Sequence, residues 1–553
     1  MSRLKKIIIY ISLAVLLAAL SACRKESYEP AAVSFSVESG AYPEDIVLKL
    51  SAPDGYTIRY TTDCTIPNRD SQEYGEEIIL SGSGEGWLDE EKIELMHPKN
   101  VYVLNKTPEL PDAWIIRAAA FAPDGTAGPT ETRTYFPNRS IESEYGSNMI
   151  ISIVTEPDNL FDYENGIFVL GKCFDQWLLE DDAKEKLNNP SKWYKIEANY
   201  TQKGKDWERP AVVEVFDGAG TAAVRQECGL RIHGGASRMF THKSLRLFFR
   251  EKYGKDTIDY NLFPGDGAEV YQSIVLRNGG NLEDGLIFKD GWQQNLLSGR
   301  RFDTQQTRPA VVYLNGEYWG VYCMNDRYNA RYLKDHYGIE DCLIVKDGEF
   351  EDGNEEAFGL FDELNAFAER DMNDPEIWEQ FKQAVDIQGM AEYYAAEVYI
   401  GNDDFDWYQN NELWRSVTIE ENNPYADGRW RFMMYDTDYS SGLYGADGTS
   451  AERNTIKDVI NKHPLFAAAI QNPEFQNMFM YALAQVGTTD LTAERVENSL
   501  NEWTDNFAGL LADEYLRFGD NTERFYRQLE EVNSFYKERF GYIMTYAEEM
   551  FGK

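Results

Sequence analysis

The hydrophobic pattern changes twice along this 553-residue chain, and the three regions so marked cannot share one core. Up to about residue 137, apolar residues come in short alternating runs. These are Val33-Ser-Phe-Ser-Val, Ile46-Val-Leu-Lys-Leu, Tyr56-Thr-Ile-Arg-Tyr-Thr-Thr and Trp114-Ile-Ile-Arg-Ala-Ala-Ala-Phe-Ala. Pro53-Asp54-Gly55 and Pro123-Asp124-Gly125 punctuate them as turns. Period two with frequent turns predicts an antiparallel β-sandwich over residues 33–137. From about Ser147 to Tyr444 the pattern is mixed α/β. From about Asn454 to Lys553, apolar residues recur at three- and four-residue spacing, as in Glu494–Trp503 and Phe525–Tyr536, which predicts helices. The expected fold class is multidomain: an N-terminal β-sandwich, then an α+β domain over 148–545 whose last part, 454–553, is helical.

The first residues are of another kind. Arg3, Lys5 and Lys6 precede the apolar run Ile7–Leu20, followed by Leu20-Ser21-Ala22-Cys23. That order reads as a secretory signal over 1–22, with Cys23 as a lipidated N-terminus and 23–32 as a linker. The expected location is extracytoplasmic, with the membrane reached through the lipid. Lys and Arg number 54 against 94 Asp and Glu, a net charge of −40. Such a surface repels phosphate backbones, so no nucleic acid partner is expected. Cys64, Cys173, Cys228, Cys323 and Cys342 are far apart and form no C-x-x-C pair, which argues against zinc and for buried thiols.

Four segments carry residues suited to chemistry. In Gly229–Arg238, a glycine-rich turn (Gly234, Gly235, Ser237, Arg238) joins two β-runs, and its backbone N–H groups suit a phosphate as well as they suit an ordinary hairpin. In the second run, Lys243 shares the face of Leu245, Leu247 and Phe249, a costly position for an amine without a partner. Ile274–Asn281 carries a strand into a polar corner, ahead of a helix opening near Asp290. Val311–Tyr322 is a hairpin with Asn315-Gly316 as a type I′ turn, followed by Asp326-Arg327.

The richest segment is Gly401–Arg415, with Asp403, Asp404, Asp406, Asn410 and Asn411, followed by the strand Trp430–Asp438 ending in Asp436-x-Asp438. Strand parity places Phe432, Met434, Asp436 and Asp438 on one face, with same-face neighbours roughly 6.6 Å apart at about 3.3 Å rise per residue. Carboxylates set against apolar side chains call for a cation, and an all-oxygen donor set favours Mg²⁺, Mn²⁺ or Ca²⁺ over zinc. Aspartate, then asparagine, then aspartate is also the order used by protein kinases, while paired carboxylates serve glycosidases too.

Tyr60-Thr-Thr-Asp-Cys-Thr-Ile-Pro67, Arg117-Ala-Ala-Ala and Thr134-Tyr135-Phe136 resemble the chitobiase/hexosaminidase C-terminal-type module, a non-catalytic spacer, with residues 82–110 as an insertion. The ordered set His233-Gly-Gly-x-Ser-Arg, Lys243-Ser, Leu276-Arg-Asn, Lys289-Asp290, Asn315-Gly-x-Tyr-Trp-Gly, Asp406-Trp-x-x-Asn-Asn and Trp430-Arg-Phe-x-x-Tyr-Asp-x-Asp resembles the CotH family of spore-coat-protein-H-like kinases over residues 148–545. The resemblance implies an atypical protein-kinase-like fold, ATP with Mg²⁺ or Mn²⁺, and a protein substrate with serine or threonine acceptors.

It also implies roles. Asp406 is the catalytic aspartate, with Lys243 and Arg238 beside it. Gly234, Gly235, Ser237, Lys243 and Asp326 meet the nucleotide, with Lys289 and Lys346 as alternatives to Lys243. Asn410 or Asn411, with Asp436 or Asp438, holds the metal. The family's Arg-Glu after the hairpin is Asn325-Asp326 here. The alternative expectation is a non-catalytic surface-binding or adhesion lipoprotein that retains the kinase-like fold, with a surface glycan as a possible partner.

Cys23→Ser is expected to leave the protein unprocessed or released from the membrane. Fractionation and the mass of the mature N-terminus check this, and a variant that matures and partitions as before would refute the anchor.

Overall fold

Turn tripeptides cut the N-terminal region into strands too short to stand alone, and they fold back on one another to bury their apolar faces. The computed structural model describes residues 28–97, 110–265, 268–282, 285–445, 448–519 and 522–552, so the expected signal sequence and Cys23 lie outside the described residues. Two compact units form, one from the residues up to Glu85 with Ala113–Arg139, the other from Gly86–Asp112 with Ser140–Lys553.

In the first unit a five-stranded sheet runs Gly40–Tyr42, Glu131–Pro137, Trp114–Phe121, Thr57–Thr61, Gln72–Glu73. The pairs Ile46–Leu48 with Ile78–Leu80 and Ser34–Phe35 with Leu50–Ser51 supply the rest. Ile46, Leu48, Leu50 and Leu80 pack with Ile58, Tyr60, Ile116, Ala118 and Ala120 in one core.

The stretch expected as an insertion in this module works for the second unit. Residues 86–112 belong there. Trp87 stacks on Trp319 at 5.5 Å, and its Nε1 donates to the Leu314 carbonyl at 2.7 Å. The buried Glu317 carboxylate accepts from Trp87 N at 3.0 Å and pairs with Arg517 at 3.3 Å.

The second unit begins with a closed barrel of seven strands: β1 Met149–Val154, β2 Arg209–Phe216, β3 Ala222–Ile232, β4 Leu245–Phe248, β5 Ser273–Arg277, β6 Thr307–Leu314 and β7 Glu317–Asn325. The order is β1-β2-β3-β4-β5-β7-β6, and β6 closes on β1 as the one parallel pair among these neighbours. Alternate residues fill it: Ile151 and Ile153, Val213 and Val215, Leu230 and Ile232, Leu245 and Leu247, Ile274 and Leu276, Met324. The same alternation sends Arg246, Val275, Arg277 and Asn325 to the outside. Asn315 and Gly316 both have positive φ (51° and 86°), as the expected type I′ turn requires.

A four-stranded antiparallel sheet follows, with β8 Cys342–Lys346, β9 Glu349–Gly353, β10 Glu412–Ser416 and β11 Arg431–Met433 in the order β9-β8-β10-β11. α1 Lys289–Leu297 packs on β6, α2 Ile387–Ile400 packs on β11, α3 Ala493–Phe518 packs on β7, and α4 Thr522–Phe551 packs against α2 and α3. α3 and α4 are the helices expected from the tail. No helix among the described residues is long and apolar enough to cross a membrane. None of the five described cysteines is in a disulfide, and four of them are buried.

One strand expectation needs correction. β11 stops at Met433, and Asp436 adopts a left-handed φ of 57°. Period two therefore ends before the acidic pair, and Asp436 and Asp438 sit in an irregular loop rather than on one strand face with Phe432.

α4 is tied to α2 through Arg539, which is fully buried. Its guanidinium donates to the carbonyls of Tyr399 (2.9 Å), Val398 (2.6 Å), Ala451 (2.8 Å) and Arg453 (2.7 Å). Arg539→Met leaves these acceptors without their donor and is expected to cost about 3 kcal/mol or more, read by denaturant unfolding. Within α2, burial pushes the Glu397 carboxyl up to about 8, while Asn402 Nδ2 donates to it at 3.0 Å. The folded chain thus keeps a proton that the unfolded chain loses above its ordinary carboxyl pKa. This contribution to stability is complete below that value and lost as pH rises through about 8. Glu397→Gln is expected to flatten that dependence and to melt above the wild type at pH 9, measured by thermal unfolding across pH.

Candidate active site: a cleft with a basic and an acidic wall

A cleft of about 700 Å³ lies against the outer face of the barrel, lined by residues of β4, β5, the glycine-rich turn, β8, and the loops after α2 and β11. Its two walls carry opposite charge.

Arg246, Arg327 and Lys346 form the basic wall. Lys346 Nζ lies 3.1 Å from Glu412 and 3.3 Å from the centre of the Tyr435 ring. Arg327 pairs with Glu351 and lies 3.5 Å from Glu412. Arg246 has no carboxylate within 4 Å among the described residues. Its Nη2 donates to Ser273 Oγ at 3.3 Å, and its Nε, though buried, meets no acceptor. Burial and the neighbouring Arg327 lower Arg246 to about 9. The field reaches His233, which is held well below its usual value by burial first and then by Arg246, Arg327 and Lys346. A cationic wall with a guanidinium to spare is a place for an anion.

The acidic wall is Asp404, Asp436 and Asp438, with Asn410. Asp404 is pushed up to about 6 by burial and then by the Asp436 charge. Asp438 is pushed up to about 7 by burial and Asp436, against the pull of Arg277. Asn410 Nδ2 donates to the Asp404 carbonyl at 2.8 Å and to its carboxylate at 3.2 Å. Asp347, Asn410 and Asp436 all line the cleft, and all have φ between 53° and 57°. All three are Asp or Asn, the residue types that enter the left-handed region at least cost, and Asp347 does so in the turn of a hairpin.

Buried polar residues behind the wall hold the Asp436–Asp438 loop. Asp290 Oδ1 accepts from Thr437 N at 2.8 Å and from its hydroxyl at 2.9 Å. Lys289 Nζ donates to the Asp438 carbonyl at 3.2 Å and to that of Ser440. Gln293 bridges the Thr437 carbonyl, Ser441 Oγ and the Tyr536 hydroxyl of α4. Lys289, an alternative nucleotide lysine in the sequence, is therefore a buried brace that burial lowers to about 7.

Of the other expected residues, Gly234, Gly235, Ser237, Arg238, Asn410, Asp436 and Asp438 line the cleft. A side chain at Gly234 would meet Ser237 Oγ at 2.5 Å, and its φ of 98° suits glycine alone. Arg238 is tied down, donating to the carbonyls of Gly234 (2.6 Å) and Gln202 (2.9 Å).

Four expected residues lie elsewhere. Lys243 is fully buried under the turn, and its Nζ donates to the carbonyls of Arg238 (2.8 Å) and Phe240 (2.7 Å) above the Tyr200 ring. The parity that put it among leucines was sound, but its amine holds the turn from inside. Asp326 accepts from Arg327 N at 2.6 Å and faces away from the cleft. Asn411 is buried and donates to the Trp407 carbonyl at 3.1 Å. Asp406 closes a tight turn with Gln409 and accepts from Tyr408 N at 3.3 Å, and that turn presents Asp404 instead.

Lys346 was the remaining lysine alternative, and Asp404 was one of several acidic residues in its segment. Arg246 is not among the expected site residues, although its alternation with Leu245 and Leu247 marks it as outward-facing.

The donor set on the acidic wall is carboxylate and amide oxygen crowded by like charge, which fits a hard divalent cation. Among the described residues no three His, Cys, Asp or Glu side chains gather closely enough to enclose a metal. Such an ion would share its shell with water and phosphate oxygens, as Mg²⁺ commonly does.

The chitobiase/beta-hexosaminidase C-terminal domain family matches residues 37–85, inside the first unit. No curated protein matches the chain. The CotH kinase protein family matches residues 230–543, more than half of the sequence, and this span contains both charged walls of the cleft. The chain belongs to the CotH kinase family.

Proposed function

We propose that this protein is an extracytoplasmic, lipid-anchored protein kinase that transfers the γ-phosphoryl group of ATP to serine or threonine of a protein, with Mg²⁺ or Mn²⁺, on a kinase-like fold. The observation that carries this reading is the opposition of walls in one cleft: Arg246, Arg327 and Lys346 face Asp404, Asp436 and Asp438. Phosphoryl transfer asks mainly for alignment and for neutralisation of phosphate charge, and a cleft with both polarities supplies those.

Lys346, fixed by Glu412, and the unpaired guanidinium of Arg246 hold phosphate oxygens. A divalent ion bound by Asn410, Asp436 and Asp438 would neutralise the remaining phosphate charge. Asp404 orients the acceptor hydroxyl and takes its proton. A carboxyl raised to about 6 is ionised at neutral pH yet more basic than an exposed one. The turn at Asp406 sets the position of Asp404 and does not meet substrate.

Transfer from γ-labelled ATP with Mg²⁺, to surface proteins of the same cells, tests this. Asp404→Asn is expected to lower transfer by about 100-fold or more while nucleotide binding persists. Asp406→Asn is expected to stay within about tenfold of the wild type. The reverse ranking would return the catalytic role to Asp406. Binding of Mg²⁺-ATP with no transfer to any acceptor would instead favour the non-catalytic surface role.

A further inference from the structure

We infer that Arg277 is a built-in cation standing where a second divalent ion would bind, so that the acidic wall takes one metal ion per chain. The inference rests on the metal-dependent reading of the cleft.

Arg277 ends β5 on the outward face of the barrel and is mostly buried. Its Nη1 lies 2.7 Å from Asp290, and its Nη2 lies 2.7 Å from Asp436 Oδ1 and 3.5 Å from Asp438 Oδ2. One planar group thus touches three carboxylates, a reach that the fork of a guanidinium has and an ammonium lacks. In two-metal sites the ions lie about 4 Å apart and share bridging oxygens. Here Nη2 holds the space between the two aspartates.

The rest of that space is filled as well. Asp438 Oδ2 accepts from Asn281 N at 2.9 Å, and Oδ1 accepts from Asn281 Nδ2 at 3.3 Å. Gly280 presses on the pair so closely that a Cβ there would fall 2.1 Å from Asp438 Oδ2 and 3.2 Å from Arg277 Nη2. The oxygens left for an ion are the second oxygen of Asp436, Asp438 Oδ1, which meets only the 3.3 Å contact from Asn281, and the side-chain oxygen of Asn410. An arginine is always charged, so this end of the wall keeps one positive charge whether or not an ion is bound.

The test is a titration of the full chain with Mn²⁺ alone, with free Mn²⁺ read by electron paramagnetic resonance. Asp436→Asn serves as the blank for ions held loosely on the acidic surface. One Mn²⁺ per wild-type chain above the blank is expected. Two would show that Arg277 yields its place and would overturn this inference while leaving the kinase reading intact. None would overturn this inference and leave the kinase reading to the transfer assay.

Arg277→Gln is expected to bind two Mn²⁺, and to gain more in melting temperature on adding Mn²⁺ than the wild type does. Arg277→Lys, which keeps one charge, is expected to stay at one. Arg277→Gln that still binds one ion with an unchanged thermal shift would overturn the inference. Should that variant fail to fold, the wild-type count and Arg277→Lys decide the matter.

Discussion

The candidate site depends on a chain of buried charges running from the barrel to the acidic loop. Arg277 at the end of β5 and Asp290 at the start of α1 pair at 2.7 Å, and Asp290 in turn fixes Thr437. Neither charge is tolerable alone in that position. Breaking a buried pair by removing one partner costs about 3–5 kcal/mol, because the other is left without compensation. The loop carrying Asp436 and Asp438 has no regular structure to hold it, so it takes its shape from these side chains and from Lys289 and Gln293. The barrel, α1 and α4 thereby converge on two carboxylates that would otherwise repel each other apart.

The opposite wall is built by a simpler rule. A barrel closed by alternating residues must send every second side chain outward, and β4 sends out Arg246. β8 ends in Lys346 just where its hairpin to β9 turns at Asp347-Gly348, both of positive φ. The basic wall thus follows from strand parity and strand ends. Its positive field is strengthened by low local dielectric, since the guanidinium and ammonium groups are largely desolvated.

Much of this was legible in the sequence. The three regions, the Asn315-Gly316 hairpin, the strands flanking the glycine-rich turn and the two terminal helices follow from periodicity and turn chemistry, which act over a few residues. The order of motifs also identified the family. The helix opening near Asp290 was readable, but its use as a brace was not.

What the sequence determined alone is the set of ingredients: an apolar segment leading to Asp-x-Asp, an apolar strand ending in lysine, and an acidic loop after a helix. What only tertiary structure decided is which of several adjacent charges faces the cleft. Asp404 and Asp406 lie two residues apart, and parity treats them alike. The choice fell to long-range partners. Carbonyls at 238 and 240 captured the Lys243 amine, a turn with Gln409 engaged Asp406, and a left-handed Asp436 broke the strand so that Arg277 could reach both aspartates. A buried charge goes wherever distant chain supplies its partner, and that distance is invisible to local pattern.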